Sequence, residues 1–482
     1  MFHLVAVPYP GRGHINPMMN LCKLILASPM ITAANRSISI TFVVTEEWRD
    51  LMGSDEICPE SIRLETIPNV LPSEKVRTDD IPGFIDAAMN KMGEPVDRLL
   101  DRLDLPATAI IADTFLHWAV DIGNRRNIPV ASLWTMSASV FAILHHFDLF
   151  VQNGHYPMDS SETTGDEQLA TYIPGLAPIR LADLPTIFHL KGRNLLDKAI
   201  IGFSKVHRVQ FLVFTSFFDL EPDVRSSLKS QFPFPVLSVG PLIPYRDLHH
   251  NNNNQIISPS PELQWLDSQP HSSVLYISLG SFLSVSPEQM DDIAAGIKES
   301  GVSFIWVARG ESSRIRSYLG EDYRGGLVVE WCEQLRVLCH SSIGGFWSHC
   351  GWNSTMESIF AGVPMITFPL HMDQVPNSKL IVDDLKIGVR MNNNNKKKKK
   401  KNGYKEEEMV KSLMDENSGV RNKMVKREMI TEIVKNFMDE NNGERREMVI
   451  RANELKEMNR RAIGEGGSSQ LDLEFFINAI SI

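Results

Sequence analysis

Short apolar runs punctuate the first half of the chain, and each empties into a glycine, a proline or a polar segment. Ile38–Val44 (ISITFVV) and Ile62–Ile67 (IRLETI) alternate in part, whereas Leu4–Pro8 (LVAVP), Thr108–Ala112 (TAIIA), Val130–Trp134 and Phe211–Ser216 are nearly continuous. That is the pattern of strands buried on both faces. Between them lie helical stretches: Met18 to about Ala27, Ile81–Leu103 and Phe115–Arg126. Strand, glycine loop and helix, followed by further βαβ spacing, predict a doubly wound parallel α/β domain. His14, Asp113 and Thr135 then all fall at the carboxyl ends of strands, the rim where such sheets bind ligands. The loop Gly11-Arg12-Gly13-His14-Ile15-Asn16 lacks the third glycine of a dinucleotide fingerprint, so a nicotinamide cofactor is not indicated.

The pattern ends at Val239-Gly240-Pro241-Leu242 and restarts beyond a polar stretch, Arg246 to Asn254, that reads as an exposed linker. His249 and His250 in it are read as solvated. Ser273–Ser278, Ser303–Ala308 and Ile343–Ser348 are the strands of a second domain. Ser286-Pro287-Glu288-Gln289 predicts a capping box, opening a helix to about Ser300 that Gly301 stops. Gly280-Ser281 is a second small-residue loop, on the side of the sheet that also holds His349. Asn392–Asn395 and Lys396–Lys401 form a low-complexity run whose lysines repel one another. Met414-Asp415-Glu416-Asn417 returns as Met438-Asp439-Glu440-Asn441, a local duplication. Residues 392–424 are therefore expected to be a surface insert.

Length and composition narrow the field. A chain of 482 residues has room for two domains with their own cores, and 43% hydrophobic with 22% charged residues is ordinary for a globular protein. A net charge of −10 argues against a nucleic-acid partner, whose phosphates must be neutralised. The five cysteines (Cys22, Cys58, Cys332, Cys339, Cys350) are odd in number and form no C-x-x-C pair, as reduced thiols would be. Met1-Phe2-His3 runs straight into a strand without a leader pattern, and no apolar run is long enough to span a bilayer. The expectation is a cytoplasmic protein with no integral membrane association.

Candidate chemistry concentrates between Trp331 and Gln374. A buried strand, Ile343–Ser348, gives way at His349-Cys350-Gly351-Trp352-Asn353-Ser354 to a helix that Gly362 and Pro364 stop. Asn353 and Ser354 are the expected N-cap residues, and such a helix start suits a phosphate. Trp331 offers an aromatic plane, Gln334 and Glu357 an amide and a carboxylate, and Asp373-Gln374 a grip on sugar hydroxyls. Together they imply a nucleotide-sugar site. Each residue also has a structural reading: Ser354-x-x-Glu357 is a capping box, Trp331 and Trp352 are core aromatics, and His349-Cys350 lacks the second pair a metal site needs.

The stretch resembles the signature box of plant secondary-product UDP-glycosyltransferases in its opening Trp-x-x-Gln, its H-C-G-W-N-S and its closing D-Q. The first domain adds Pro10 to Met18 (P-x-x-G-H-x-x-P-M), Asp113-x-Phe115 and Trp134-Thr135-x-Ser137, so the resemblance covers nearly the whole chain. Cys332-Glu333 departs from the usual Ala-Pro, at a point where the family reads uracil through its backbone. The resemblance implies the GT-B fold, two Rossmann-like α/β domains facing across a cleft. The boundaries expected are 1–240 for an acceptor domain, 241–262 for the linker, 263–465 for a donor domain, and 466–482 for a helix returning to the first domain. It implies an inverting, metal-independent transfer of a hexose, glucose by preference, from a UDP-sugar co-substrate to a small lipophilic acceptor. No other cofactor is implied, and a monomer is expected. His14 would be the base and Asp113 its partner, with Thr135 reaching the sugar. Gly280, Ser281, His349, Asn353 and Ser354 would hold the diphosphate. Trp331, Cys332, Gln334 and Glu357 would hold uridine, and Trp352, Asp373 and Gln374 the sugar. A catalytically silent nucleotide-sugar binder is the alternative.

Overall fold

The computed structural model describes residues 2–32, 37–53, 61–77, 80–157, 168–189, 193–248, 260–280, 285–320, 323–391 and 425–481. Ser281, Cys58, the linker residues 249–259 and the whole insert, 392–424, lie outside them. The chain forms two compact units, Met1–Ile243 with Met458–Ile482, and Pro244–Glu457. The second boundary falls inside the helix Gly443–Ile463 instead of at residue 466.

The first unit is built on seven strands: β1 Phe2–Val7, β2 Ile38–Thr45, β3 Ile62–Ile67, β4 Ala109–Asp113, β5 Val130–Trp134, β6 Phe211–Phe214 and β7 Val236–Ser238. They lie in the order β3-β2-β1-β4-β5-β6-β7, and every pair is parallel. Helices cover both faces of such a sheet, which is why its central strands read as nearly unbroken apolar runs, while β3 at the edge (IRLETI) alternates. β7 is too short to be legible as a strand in the sequence. The first helix begins at Arg12, not Met18, and carries Pro17 inside it, where the ring forgoes one backbone hydrogen bond. The Ile81–Leu103 stretch is two helices, Ile81–Asn90 and Gly93–Leu100. The helix expected from Phe115 starts at Trp118, because the Asp113 carboxylate takes the Phe115 N–H at 3.0 Å and holds a turn. At Gly123 a side chain would meet Val130 Cγ2 at 2.1 Å, so only glycine lets this helix lie so close to β5.

A buried polar network sits in this unit. The Glu221 carboxylate accepts from the N–H groups of Ala138 and Ser139 at 2.8 Å each, and from the Ser139 hydroxyl at 2.6 Å. With Ser137 as N-cap, it closes the start of helix Ala138–His145. One turn on, Arg225 is buried over the Phe214 ring at 3.6 Å and donates to Ser238 Oγ. Burial pulls its pKa down to about 9, against Glu221 and Asp472. Asp472, on the last helix Ser468–Ile480, takes the Ser238 N–H at 2.6 Å, and Phe476 packs edge-on to Phe211.

The second unit has six parallel strands: β8 Val274–Ser278, β9 Ser303–Val307, β10 Gly326–Val329, β11 Ile343–Ser348, β12 Met365–Thr367 and β13 Gly388–Arg390. Their order is β10-β9-β8-β11-β12-β13. Trp306, Trp347, Ile277 and Ile293 lie in its core. The helix Pro287–Ser300 has Ser286 as N-cap, but the expected capping box is only half made. The Gln289 side chain turns away to bond both backbone groups of Val425, at 2.7 and 2.9 Å. Met391 bonds Thr367 on β12, and Met391 and Val425 both belong to the core. The chain thus enters and leaves the segment 392–424 from packed, hydrogen-bonded positions. Among the described residues no helix is long and apolar enough to cross a membrane.

Replacing Glu221 by Ala should leave two buried amides and a hydroxyl without their acceptor. The loss expected is about 3 kcal/mol or more, read from the urea midpoint of the full chain against wild type.

Candidate active site

Parallel order brings the first cluster together. β1, β4 and β5 are neighbours, with Val7 level with Ala112 and Asp113 level with Leu133. The segments leaving the carboxyl ends of these strands therefore share one rim. His14, in the first turn after β1, Asp113, which ends β4, and Thr135, just past β5, meet there. His14 Nδ1 lies 2.7 Å from Asp113 Oδ2 and 2.8 Å from Thr135 Oγ1. An ionised carboxylate can only accept, so Nδ1 carries the proton and shares it between the two oxygens. Nε2 is left with a lone pair, and the hydroxyl of Thr135 keeps its own proton to give. Asp113 and Thr135 are buried, while the His14 side chain is 20% exposed. Around the imidazole stand Tyr9 at 5.0 Å and Phe115 at 6.4 Å between ring centres. Phe115 in turn packs on Trp134 at 5.4 Å. Tyr9 is not singled out by the sequence, where it reads only as a residue just past β1.

In the second unit β8 and β11 are neighbours with Ser278 level with Ser348, so Gly280 and His349 emerge side by side. A Cβ on Gly280 would come within 2.9 Å of the His349 ring, and one on Gly351 within 2.5 Å of its Nε2. Gly280 has φ +94°, which favours glycine on backbone grounds as well. Two glycines thus bracket the imidazole. Burial pushes its pKa down to about 4 against a backbone hydrogen bond with Ser278, so it is neutral at physiological pH with a single N–H. Nδ1 of His349 and the indole N–H of Trp352 are buried with no partner among the described residues.

Cys350 turns the chain between strand and helix with φ 67°, a left-handed conformation that costs a non-glycine residue about 1–2 kcal/mol. Its N–H bonds Ser348 Oγ at 3.1 Å, and its carbonyl takes the Asn377 amide at 3.0 Å. Asn377 also donates to Asp373 at 2.8 Å, tying the turn to the D-Q pair. Sequence reasoning passes over Asn377, although its four-residue spacing from Asp373 on a helix is a signal that could find it.

The helix itself is Trp352–Ala361, and its N-cap is Gly351, with no side-chain cap. The expectation that Asn353 or Ser354 caps it is therefore corrected: both lie inside the first turn. The capping-box reading of Ser354 and Glu357 fails for the same reason. Instead the Gln334 NH2 group donates to Ser354 Oγ at 2.9 Å and to Glu357, while the Tyr276 hydroxyl donates to Gln334 Oε1 at 3.1 Å. Burial raises the Glu357 pKa to about 7 against the pull of that amide. Trp331 is 61% exposed, a free ring face and not a core aromatic, whereas Trp352 is buried. Cys332 is buried, with its thiol pushed up to about 11 by burial. Gln374 is half committed: its carbonyl takes the N–H groups of Leu370 at 2.8 Å and His371 at 3.0 Å. Both lone pairs are used, so only its NH2 group remains to read a ligand. Ser281 cannot be placed, since it lies outside the described residues. Cys22, Cys332, Cys339 and Cys350 are free thiols, and no group of three or more candidate ligands for a metal ion occurs among the described residues.

A family model described as UDP-glucoronosyl and UDP-glucosyl transferase matches residues 224–426. UDP-glycosyltransferase 87A1 of Arabidopsis thaliana is 44% identical over 476 residues, covering 98% of this chain and 99% of that one. The 7-deoxyloganetin glucosyltransferase of Catharanthus roseus is 30% identical over 89% of this chain and 90% of its own. Among solved structures, Medicago truncatula UGT71G1 complexed with UDP-glucose superposes with a TM-score of 0.77 at 24% identity, covering 100% of this chain and 98% of that one. A UDP-glucose: anthocyanidin 3-O-glucosyltransferase in complex with UDP gives 0.80 at 22% identity, covering 99% and 98%.

Titrating the protein while following imidazole proton shifts should show His349 neutral down to about pH 4. A midpoint in the ordinary histidine range would mean that the ring is not enclosed between the two glycines.

Proposed function

Because the chain belongs to the UDP-glycosyltransferase family and has its GT-B fold, we propose that it transfers a hexose, glucose by preference, from a UDP-sugar to a hydroxyl or carboxyl group of a small lipophilic metabolite, with inversion. The observation that carries this reading is the 2.7 Å contact of His14 Nδ1 with Asp113, which leaves Nε2 as an accessible base. Nε2 takes the acceptor proton as the acceptor oxygen attacks the anomeric carbon, and the bond to the diphosphate breaks on the opposite face. Asp113 stabilises the imidazolium that forms. The uncapped start of helix Trp352–Ala361 gives hydrogen bonds to the departing UDP beside the neutral His349 ring, with the helix dipole favouring its charge. Trp331 stacks on uracil and the Glu357 carboxylate accepts from the ribose hydroxyls. Asp373 and the Gln374 NH2 group bond the sugar. A silent nucleotide-sugar binder is disfavoured, since such a protein has no need of a histidine oriented by a buried carboxylate. The acceptor partner is small and apolar by the aromatic surroundings of His14, where Tyr9 and Phe115 pack.

His14→Ala should cut transfer from UDP-glucose by about 10²- to 10⁴-fold while UDP binding, measured by calorimetry, persists. Retention of a tenth or more of turnover, on that scale, would remove His14 from the role of base. Mass detection of products across an acceptor panel supplies the assay.

With its carbonyl held by the turn, Gln374 offers donors only, and an axial hydroxyl in galactose takes one partner away. UDP-glucose should be preferred over UDP-galactose by about fivefold or more in kcat/KM, and Gln374→His should narrow the gap. Equal use of both donors in competition would sink this role for Gln374.

A further inference from the structure

Gln334 is fully occupied within the protein. Both hydrogens of its NH2 group are given, to Ser354 and Glu357, and its carbonyl accepts from Tyr276. It therefore has no hydrogen left for a nucleotide and acts on Glu357 instead. A glutamine amide fits its space equally well with oxygen and nitrogen exchanged, so its partners alone decide which end faces the carboxylate.

The ionised Glu357 carboxylate can only accept and takes the NH2 end, so the oxygen end falls to Tyr276. Tyr276 is fully buried on β8. Because its hydroxyl hydrogen goes to Gln334, its 3.5 Å contact with Cys332 Sγ is one in which the thiol donates, and the Ser278 side chain bonds the same hydroxyl. Burial keeps both groups protonated, raising the tyrosine well above its ordinary value and the thiol to about 11. The hydrogen bonds then run one way, from Cys332 to Tyr276 to Gln334 to Glu357.

We propose that Tyr276 is a positioning residue of the donor site, fixing the Gln334 amide so that its NH2 group orients the Glu357 carboxylate toward a ribose diol, with Cys332 setting the direction of the tyrosine hydroxyl. The inference rests on Glu357 as the ribose reader in the function proposed above. The titratable groups facing Glu357 are Tyr276 from β8 and Cys332 from the loop after β10. Both stay neutral near pH 7, so Glu357 alone of the three titrates there. Donation from Gln334 lowers its pKa, so loosening that amide raises it.

The test is calorimetric binding of UDP to the full chain across the pH range around 7, repeated with uridine, which has no ionising phosphate. Wild type should bind more tightly as pH rises and Glu357 ionises. Tyr276→Phe should weaken binding of both probes about three- to tenfold and move the midpoint to higher pH. Cys332→Ala should give a smaller change in the same direction. In a Glu357→Gln background the pH dependence for uridine should vanish and Tyr276→Phe should add nothing, the mark of two residues acting through one another. A folded Tyr276→Phe protein with wild-type affinity and midpoint overturns the proposal. If that variant does not fold, Gln334→Met gives the same reading, and unchanged uridine binding there overturns it equally. Glu357→Gln binding like wild type would instead overturn the ribose role of Glu357 itself.

Discussion

The donor site proposed for the second unit depends on a helix that begins without a side-chain cap. Gly351 has no side chain to bond the first amides of Trp352–Ala361, and the two residues suited to capping, Asn353 and Ser354, lie two and three positions past it, inside the first turn. A helix start of this kind is completed by whatever anion arrives, and its dipole favours that charge. The remaining features of the turn keep this start open. Cys350 accepts a left-handed backbone, Gly280 and Gly351 leave room only for the His349 ring, and Asn377 pins the turn from behind.

Hydrogen bonds made inside the protein decide what each polar side chain has left to offer a ligand. The Gln334 hydrogens go to Ser354 and Glu357, and the Gln374 carbonyl is held by two backbone amides. These commitments reduce reach and improve orientation: a side chain already bonded at one end loses little freedom when a ligand meets the other. The same constraint operates at His14, where Asp113 and Thr135 share one ring nitrogen and so specify the tautomer that leaves the other basic. Glu221 extends it beneath the surface by closing the helix that begins after Thr135, and Arg225 and Asp472 link that region to the last helix.

A parallel sheet makes both clusters possible. Segments leaving adjacent strands share a rim however far apart they lie in sequence, and His14, Asp113 and Thr135 are an instance. In the second unit Gly280 and His349 meet because β8 and β11 end level with each other.

The sequence by itself determined the class of both sheets, most of their long strands, the free thiols described and the candidate residues between Trp331 and Gln374. Each of these is written in local pattern: nearly unbroken apolar runs, glycine at turns, fixed spacing between residues of distinct chemistry. It also placed His14, Asp113 and Thr135 at strand ends. The short strands β7, β10, β12 and β13 escaped it, because three or four residues carry too little periodicity to separate strand from loop. Local rules failed where a distant partner competed: Gln289 left its capping box for Val425, and Glu357 was taken by Gln334. Tertiary structure alone decided which nitrogen of His14 is basic, that His349 is held neutral, that Gln334 is spent within the protein, and which end of Gln374 is free. Those outcomes turn on burial and on partners brought together by strand order, and neither is a property of neighbouring residues in the chain.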